Sequence, residues 1–204
     1  MSESERDLRH AEEMKVLQEE RRAERATKKL RGGLLIVLTG SGKGKSSSAF
    51  GMVARALGWE MRVGIVQFIK GAWDTGERRL LTSNFGELCQ FHAMGEGFTW
   101  ETQDRARDIA AAQAGWEKAK ALISDDSLRM VVLDEINIAL RYDYLDVNEV
   151  VAFLQTSKPP LTHVVLTGRN AKQELIDVAD LVTEMTLVKH PFRSGIKAQP
   201  GVEF

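Results

Sequence analysis

The chain has 204 residues and 43% hydrophobic content, enough for one well-buried domain and too little for two large ones. A formal net charge of -1 excludes a global field that would draw it to nucleic acid or to an anionic membrane. Cys89 is the single cysteine, which excludes an intramolecular disulfide framework, and its apolar neighbours Leu88 and Phe91 suit a core position better than a reactive thiol. The N-terminal segment has no apolar secretory stretch, and no later run approaches the roughly 20 apolar residues that span a bilayer. A soluble, cytoplasmic protein is the expectation.

Residues 1–31 are dominated by Glu, Arg and Lys, with opposite charges close in sequence, as in Glu12 with Lys15 and Glu20 with Arg25. Leu8, Ala11, Met14 and Leu17 recur every third residue, a drifting stripe rather than a core-facing side. This arm reads as a mobile or docking helix outside the main fold. The composition changes abruptly at Gly32-Gly33, and residues 32–204 are expected to form a single nucleotide-binding α/β domain. Leu34 to Leu38 is a continuous branched apolar run, the pattern of a strand covered on both faces. Similar runs follow at Val63 to Phe68, Met130 to Leu133 and His163 to Leu166, with weaker strands at Leu88 to His92 and Leu181 to Leu187. Helical composition covers Lys45 to Leu57, Thr102 to Ile123, Val147 to Gln155 and Ala171 to Ala179. Alternating strands and helices predict a mostly parallel sheet with helices on both faces.

Directly after the first strand comes Thr39-Gly40-Ser41-Gly42-Lys43-Gly44-Lys45-Ser46-Ser47, and a helix begins near Lys45. Small residues let backbone N–H groups turn inward around phosphate oxygens, and the helix N-terminus adds partial positive charge. Lys45 is placed to contact phosphate and Ser46 to ligate magnesium. The general pattern G-x-x-x-x-G-K-[ST] has glycine where this chain has Thr39, and Lys43 adds a second cation. Either the loop is one residue shorter or its path around the nucleotide differs. The ordinary alternative is a glycine-rich surface turn. Further on, the strand Met130-Val131-Val132-Leu133 ends in Asp134-Glu135, where a carboxylate can hold magnesium directly or through water. Its ordinary alternative is an acidic pair capping the next helix. Glu135 is the preferred metal-side residue. His10, His92, His163 and His190 share no spacing with each other or with Cys89 that suggests a metal site, so protein-bound zinc, iron or haem is not expected.

These motifs establish nucleotide binding and leave kinases, ATPases and group transferases open. The loop from Thr39 to Ser46 resembles the G-x-G-K-G-K-[ST] form of the ATP:corrinoid adenosyltransferases. So do Val66-Gln67-Phe68-Ile69-Lys70-Gly71 with Trp73, Gly76 and Glu77; Gly97-Phe98-Thr99-Trp100-Glu101-Thr102; Val131 to Ile136; Thr167-Gly168-Arg169; and Val188-Lys189-His190 with Gly195 to Gln199. The blocks run in family order from about Gly33 to the C-terminus.

The resemblance implies a three-layer, P-loop NTPase-like (RecA-like) fold. It implies transfer of the 5′-deoxyadenosyl group of ATP to the cobalt(I) of a corrinoid, in adenosylcobalamin biosynthesis or salvage. Triphosphate is the leaving group, so Gly40, Ser41, Gly42, Lys43, Gly44, Lys45 and Ser46 would serve its charge, with magnesium, or manganese in its place, held by Ser46 and Glu135. It also implies a nucleotide lying in the reverse sense to that of P-loop hydrolases, which leaves C5′ facing the corrin. Phe98 and Trp100, which on sequence alone read as core anchors, resemble aromatics that occupy the lower corrin face and displace its axial ligand. Arg55, on the helix after the loop, and Arg169 are candidate nucleotide contacts, against the ordinary reading of solvated or surface-paired arginines. Expected partners are ATP, the corrinoid, an electron-donating reductase or flavoprotein, and a second copy in a homodimer. The competing readings are a P-loop kinase or regulatory ATPase acting on the γ-phosphate, and a nucleotide-dependent module whose charged arm recruits a partner or nucleic acid.

Overall fold

The structure is a computed structural model and describes residues 3–28, 30–69, 75–94 and 104–203. The chain divides into two compact units, Met1–Arg31 and Gly32–Phe204. The first is helix α1, Glu3–Thr27. Its ion pairs, Arg9 with Glu13 at 3.7 Å and Glu24 with Lys28 at 3.6 Å, are exposed i,i+4 contacts. Each adds only a few tenths of a kcal/mol, about 0.3–0.5. Leu8, Met14 and Val16 are exposed on this helix.

The second unit is built on strands β1 (Leu35–Thr39), β2 (Val63–Gln67), β3 (Cys89–Ala93), β4 (Met130–Asp134), β5 (His163–Thr167) and β6 (Leu181–Glu184). They form one six-stranded sheet in the order β3-β2-β4-β5-β1-β6. Every pairing is parallel, with Leu38 opposite Thr167 and Thr39 opposite Glu184 in the registers that flank β1. The helices are α2 (Lys45–Leu57), α3 (Gly76–Asn84), α4 (Arg105–Ser124), α5 (Ile136–Arg141), α6 (Val147–Ser157) and α7 (Gln173–Val178).

Strand periodicity explains the three layers. Ile36, Leu38, Ile65, Val132 and Val165 point to one face and pack with Ala49, Phe50, Val53 and Leu57 of α2 and Leu81 of α3. Leu35, Val37, Val131, Leu133, Val164 and Leu166 point to the other and pack with Trp116, Ala119 and Ile123 of α4, Leu140 of α5, Leu154 of α6 and Leu175 of α7. Both faces are therefore covered, and the strands read as apolar runs for that reason. Cys89 is buried in the first of these cores, where desolvation pushes its thiol up to about 11.

The expected strands and long helices are present, with small shifts at their ends. The exception is β6, which stops at Glu184 instead of running to Leu187. After Glu184 the backbone turns toward the loop following β1, where the Met185 carbonyl accepts a hydrogen bond from Gly42 N–H at 2.6 Å. Helices α3 and α5 have no counterpart in the sequence reading. Helix α3 is started by Thr75, whose hydroxyl accepts from Arg78 N–H at 3.3 Å.

Candidate nucleotide site

The C-terminal ends of β1, β4, β5 and β6 bring their loops together, the place where open parallel sheets bind ligands. The loop after β1 has two residues in the left-handed region, Gly40 with φ 97° and Gly44 with φ 106°. Thr39 is not among the positive-φ residues, so the glycine turn falls at Gly40, one residue later than the general pattern places it. Room for the turn is tight. A Cβ on Gly42 would lie 2.7 Å from the Thr186 carbonyl oxygen, and one on Gly40 would run into the backbone of Met185.

Helix α2 starts at Lys45, and its N-cap Gly44 contributes no side-chain cap. The first amides of the helix are thus not consumed by a capping oxygen, which leaves an anion as their natural partner. Lys45 is buried, 7% exposed, and its Nζ donates to the carbonyls of Gly40 at 3.0 Å and Gly42 at 2.6 Å. Burial pushes its pKa down, Glu135 pulls it back up, and Arg169 and Lys43 push it down again. One carboxylate and two further cations therefore act on the same ammonium group. Lys43 is exposed and pairs with the Glu203 carboxylate. Ser46 lies in the first turn of α2, half-buried, and Ser41 is exposed in the loop.

The two acids at the end of β4 have separate roles. Asp134 is fully buried and accepts from Gln67 Nε2 at 2.9 Å and from Thr167 Oγ1 at 2.7 Å. Glu135 is half-buried and left-handed, φ 63°, and makes no side-chain cap on α5, which removes the capping alternative. Its backbone N–H donates to the same Thr167 hydroxyl at 2.9 Å. Thr167 thus fixes both residues through one oxygen. A serine hydroxyl and a carboxylate are hard oxygen donors of the kind magnesium takes alongside substrate phosphates, so Ser46 and Glu135 fit that ion.

Arg169 follows Gly168, whose φ is 128°, and its side chain is exposed. Its charge acts on Lys45, which puts it in the same field as Lys43 and Glu135. Arg55 is placed elsewhere: it is exposed in the last turn of α2, about 15 Å along the helix axis from Lys45 at 1.5 Å per residue. The structure does not bring it to the loop. Phe98 and Trp100 lie outside the described residues, as do Lys70, Gly71 and Trp73.

Thr167, Gln67, Met185 and Glu203 were not singled out from sequence as parts of this site. Thr167 and Gln67 did carry a signal. A polar residue ending an apolar strand covered on both faces has to find a partner, and each finds Asp134.

Comparison with known proteins gives a consistent result. Residues 31–204 match the family model described as ATP:corrinoid adenosyltransferase BtuR/CobO/CobP. A corrinoid adenosyltransferase from Sinorhizobium sp is 64% identical over 198 residues, 97% of this chain and 92% of the relative. One from Pseudomonas aeruginosa is 55% identical over 208 residues, covering 100% of both chains. The corrinoid adenosyltransferase CobA of Salmonella typhimurium is 47% identical over 172 residues, 84% of this chain and 86% of that one.

Proposed function

The chain belongs to the ATP:corrinoid adenosyltransferase family, and from that premise we propose how its residues carry out transfer of the 5′-deoxyadenosyl group of ATP to the cobalt of a corrinoid. The observation that carries the reading is the buried Lys45, held by the Gly40 and Gly42 carbonyls in a glycine loop at a helix N-terminus, with the charges of Glu135, Arg169 and Lys43 acting on it. The electron pair of cobalt(I) forms the bond to C5′, the C5′–O5′ bond breaks, and its electrons leave on triphosphate. Cobalt is formally oxidised to cobalt(III) in that step, and no phosphoryl group moves. Negative charge grows on the leaving group, so catalysis here consists of cations and amides arranged in advance. Lys45, already detained by the carbonyls of Gly40 and Gly42, exchanges them for phosphate oxygens, and Lys43 exchanges Glu203 in the same way.

Ser46 and Glu135 would hold magnesium, which would supply further charge neutralisation on the triphosphate. Phe98 and Trp100 take the lower corrin face, by the family resemblance. An electron-donating reductase or flavoprotein supplies the electron that makes cobalt(I), and the enzyme works as a homodimer. Among the described residues no helix is long and apolar enough to cross a membrane.

γ-Phosphoryl transfer is the reading the relatives do not favour. The test is to incubate the protein with magnesium ATP and chemically reduced cobalamin. Formation of a light-sensitive cobalt–carbon product supports the assignment, and consumption of ATP with no such product contradicts it.

A further inference from the structure

Thr39 stands where the general phosphate-loop pattern has glycine, and nothing in the loop turn itself explains it, because the left-handed conformation belongs to Gly40. Its side chain has a specific partner. Thr39 Oγ1 accepts a hydrogen bond from Ala171 N–H at 3.0 Å, joining the end of β1 to the loop after β5. The other end of that loop is held as well. Gly168 N–H donates to the Leu38 carbonyl at 3.2 Å, and the Gly168 carbonyl accepts from Asn137 Nδ2 at 3.2 Å.

Thr39 and Asn137 are both buried, at 6% and 0% exposure. Asn137 Oδ1 is buried and has no hydrogen-bond partner among the described residues. Its Nδ2 is the group that holds Gly168. Asn137 also backs directly onto that residue: a Cβ on Gly168 would lie 2.9 Å from Asn137 Cβ and 3.2 Å from Glu135 Oε2. Between the two anchored residues remain only Arg169 and Asn170, both exposed, the second left-handed with φ 55°. A loop fixed at both ends has little backbone freedom left to lose when its arginine binds.

We propose that Thr39 and Asn137 are positioning residues, a two-point clamp on the Gly168–Ala171 loop that holds Arg169 beside the phosphate loop to receive the triphosphate of ATP. The inference rests on the reading of Arg169 as a nucleotide contact, and it accounts for the threonine: the hydroxyl occupies the position because the neighbouring loop needs an acceptor there.

The experiment titrates the full-length chain with magnesium ATP calorimetrically, without corrinoid, and measures exchange protection of the Ala171 amide in the same variants. Thr39→Val keeps the shape and loses the hydroxyl, and it should weaken ATP binding about fivefold, the size of one lost hydrogen bond. Thr39→Ser keeps the hydroxyl and should stay within about twofold, and Thr39→Ala repeats the comparison if valine disturbs packing. Arg169→Ala should cost about tenfold, and adding Thr39→Val to it should cost less than about 1.5-fold more, since the clamp acts through the arginine. Ala171 exchange should accelerate in Thr39→Val and not in Thr39→Ser.

Unchanged Ala171 protection in Thr39→Val overturns the clamp while leaving the Arg169 reading intact. Fully additive losses in the double variant overturn its action through Arg169. An Arg169→Ala protein that binds ATP normally overturns the proposal together with the reading beneath it.

Discussion

The two ends of the central sheet use the same device, side chains bonded to backbone, for opposite purposes. At the N-terminal end the start of β1 is fastened. Leu34 N–H donates to His163 Nδ1 at 3.0 Å, Leu35 N–H donates to Asp180 Oδ2 at 2.7 Å, and Lys158 Nζ donates to the Gly33 carbonyl at 2.7 Å and the Thr162 carbonyl at 3.2 Å. The polar groups there satisfy chain ends whose amides would otherwise lose their hydrogen bonds. At the C-terminal end Thr39, Thr167 and Asn137 also bind backbone, yet what they fix are segments carrying Arg169 and Glu135. Left-handed backbone is concentrated there too, at Gly40, Gly44, Glu135, Gly168 and Asn170. Strain of that kind persists where surrounding structure over-determines it, and it clusters at functional sites. One end therefore holds the fold and the other carries the proposed site, so substitutions at the two ends should separate stability from activity.

The largest effect is expected from Lys45→Ala. Loss of the buried cation at the leaving group should lower kcat about 10²–10³-fold, the range for deleting one preorganised charge-stabilising group. Its thermal midpoint should move little, as a melt would show, because burial already disfavours the charged lysine. Gly168→Ala comes next. The φ of 128° and the crowding against Asn137 and Glu135 should displace the loop and reduce turnover about tenfold, in line with the sensitivity of catalysis to small misplacements.

Gly33→Ala is the counterpart at the other end. Its Cβ would run into the backbone of Thr162, so unfolding by denaturant should show a loss of about 1–3 kcal/mol with kcat per folded molecule unchanged. The smallest effect is a pH dependence at the same end. Burial holds the His163 pKa below its ordinary 6.5, with Lys158 and Arg129 acting in the same direction, and Nδ1 must stay unprotonated to accept from Leu34. The unfolded chain therefore binds the proton more readily. Stability is complete above about 6.5 and falls as the pH drops from there toward the depressed folded value. His163→Asn, whose amide oxygen can take the place of Nδ1, should flatten that fall, while His92, also depressed by burial and by Lys118, retains its share.

The strands and α2 were legible in the sequence because their signals are local: branched apolar runs for the first, a glycine loop followed by Lys-Ser for the second. The short α5 was not, since six residues give too little periodicity and its start depends on a left-handed Glu135. Glu135 could be selected by its position at a strand end and Lys45 by its place where the glycine loop meets the helix. Of the groups around them, Gln67 and Thr167 leave a signal as polar residues ending apolar strands, but which residues they meet could not be read. Thr39 meets Ala171, Thr167 meets Asp134, and Met185 meets Gly42 only because the parallel order β4-β5-β1-β6 sets distant segments side by side. Arg55 shows the reverse. Its place on the helix after the loop suggests a nucleotide contact, and the helix rise sets it about 15 Å along the axis from Lys45.

On the proposed function, the cations gathered at Lys45 serve a triphosphate leaving group and not a transferred phosphoryl group. Phosphorus NMR of the products formed from magnesium ATP and cobalt(I) cobalamin tests it most directly. Intact triphosphate is expected, one equivalent for each cobalt–carbon bond formed. ADP with inorganic phosphate, in proportion to the ATP consumed, would contradict it.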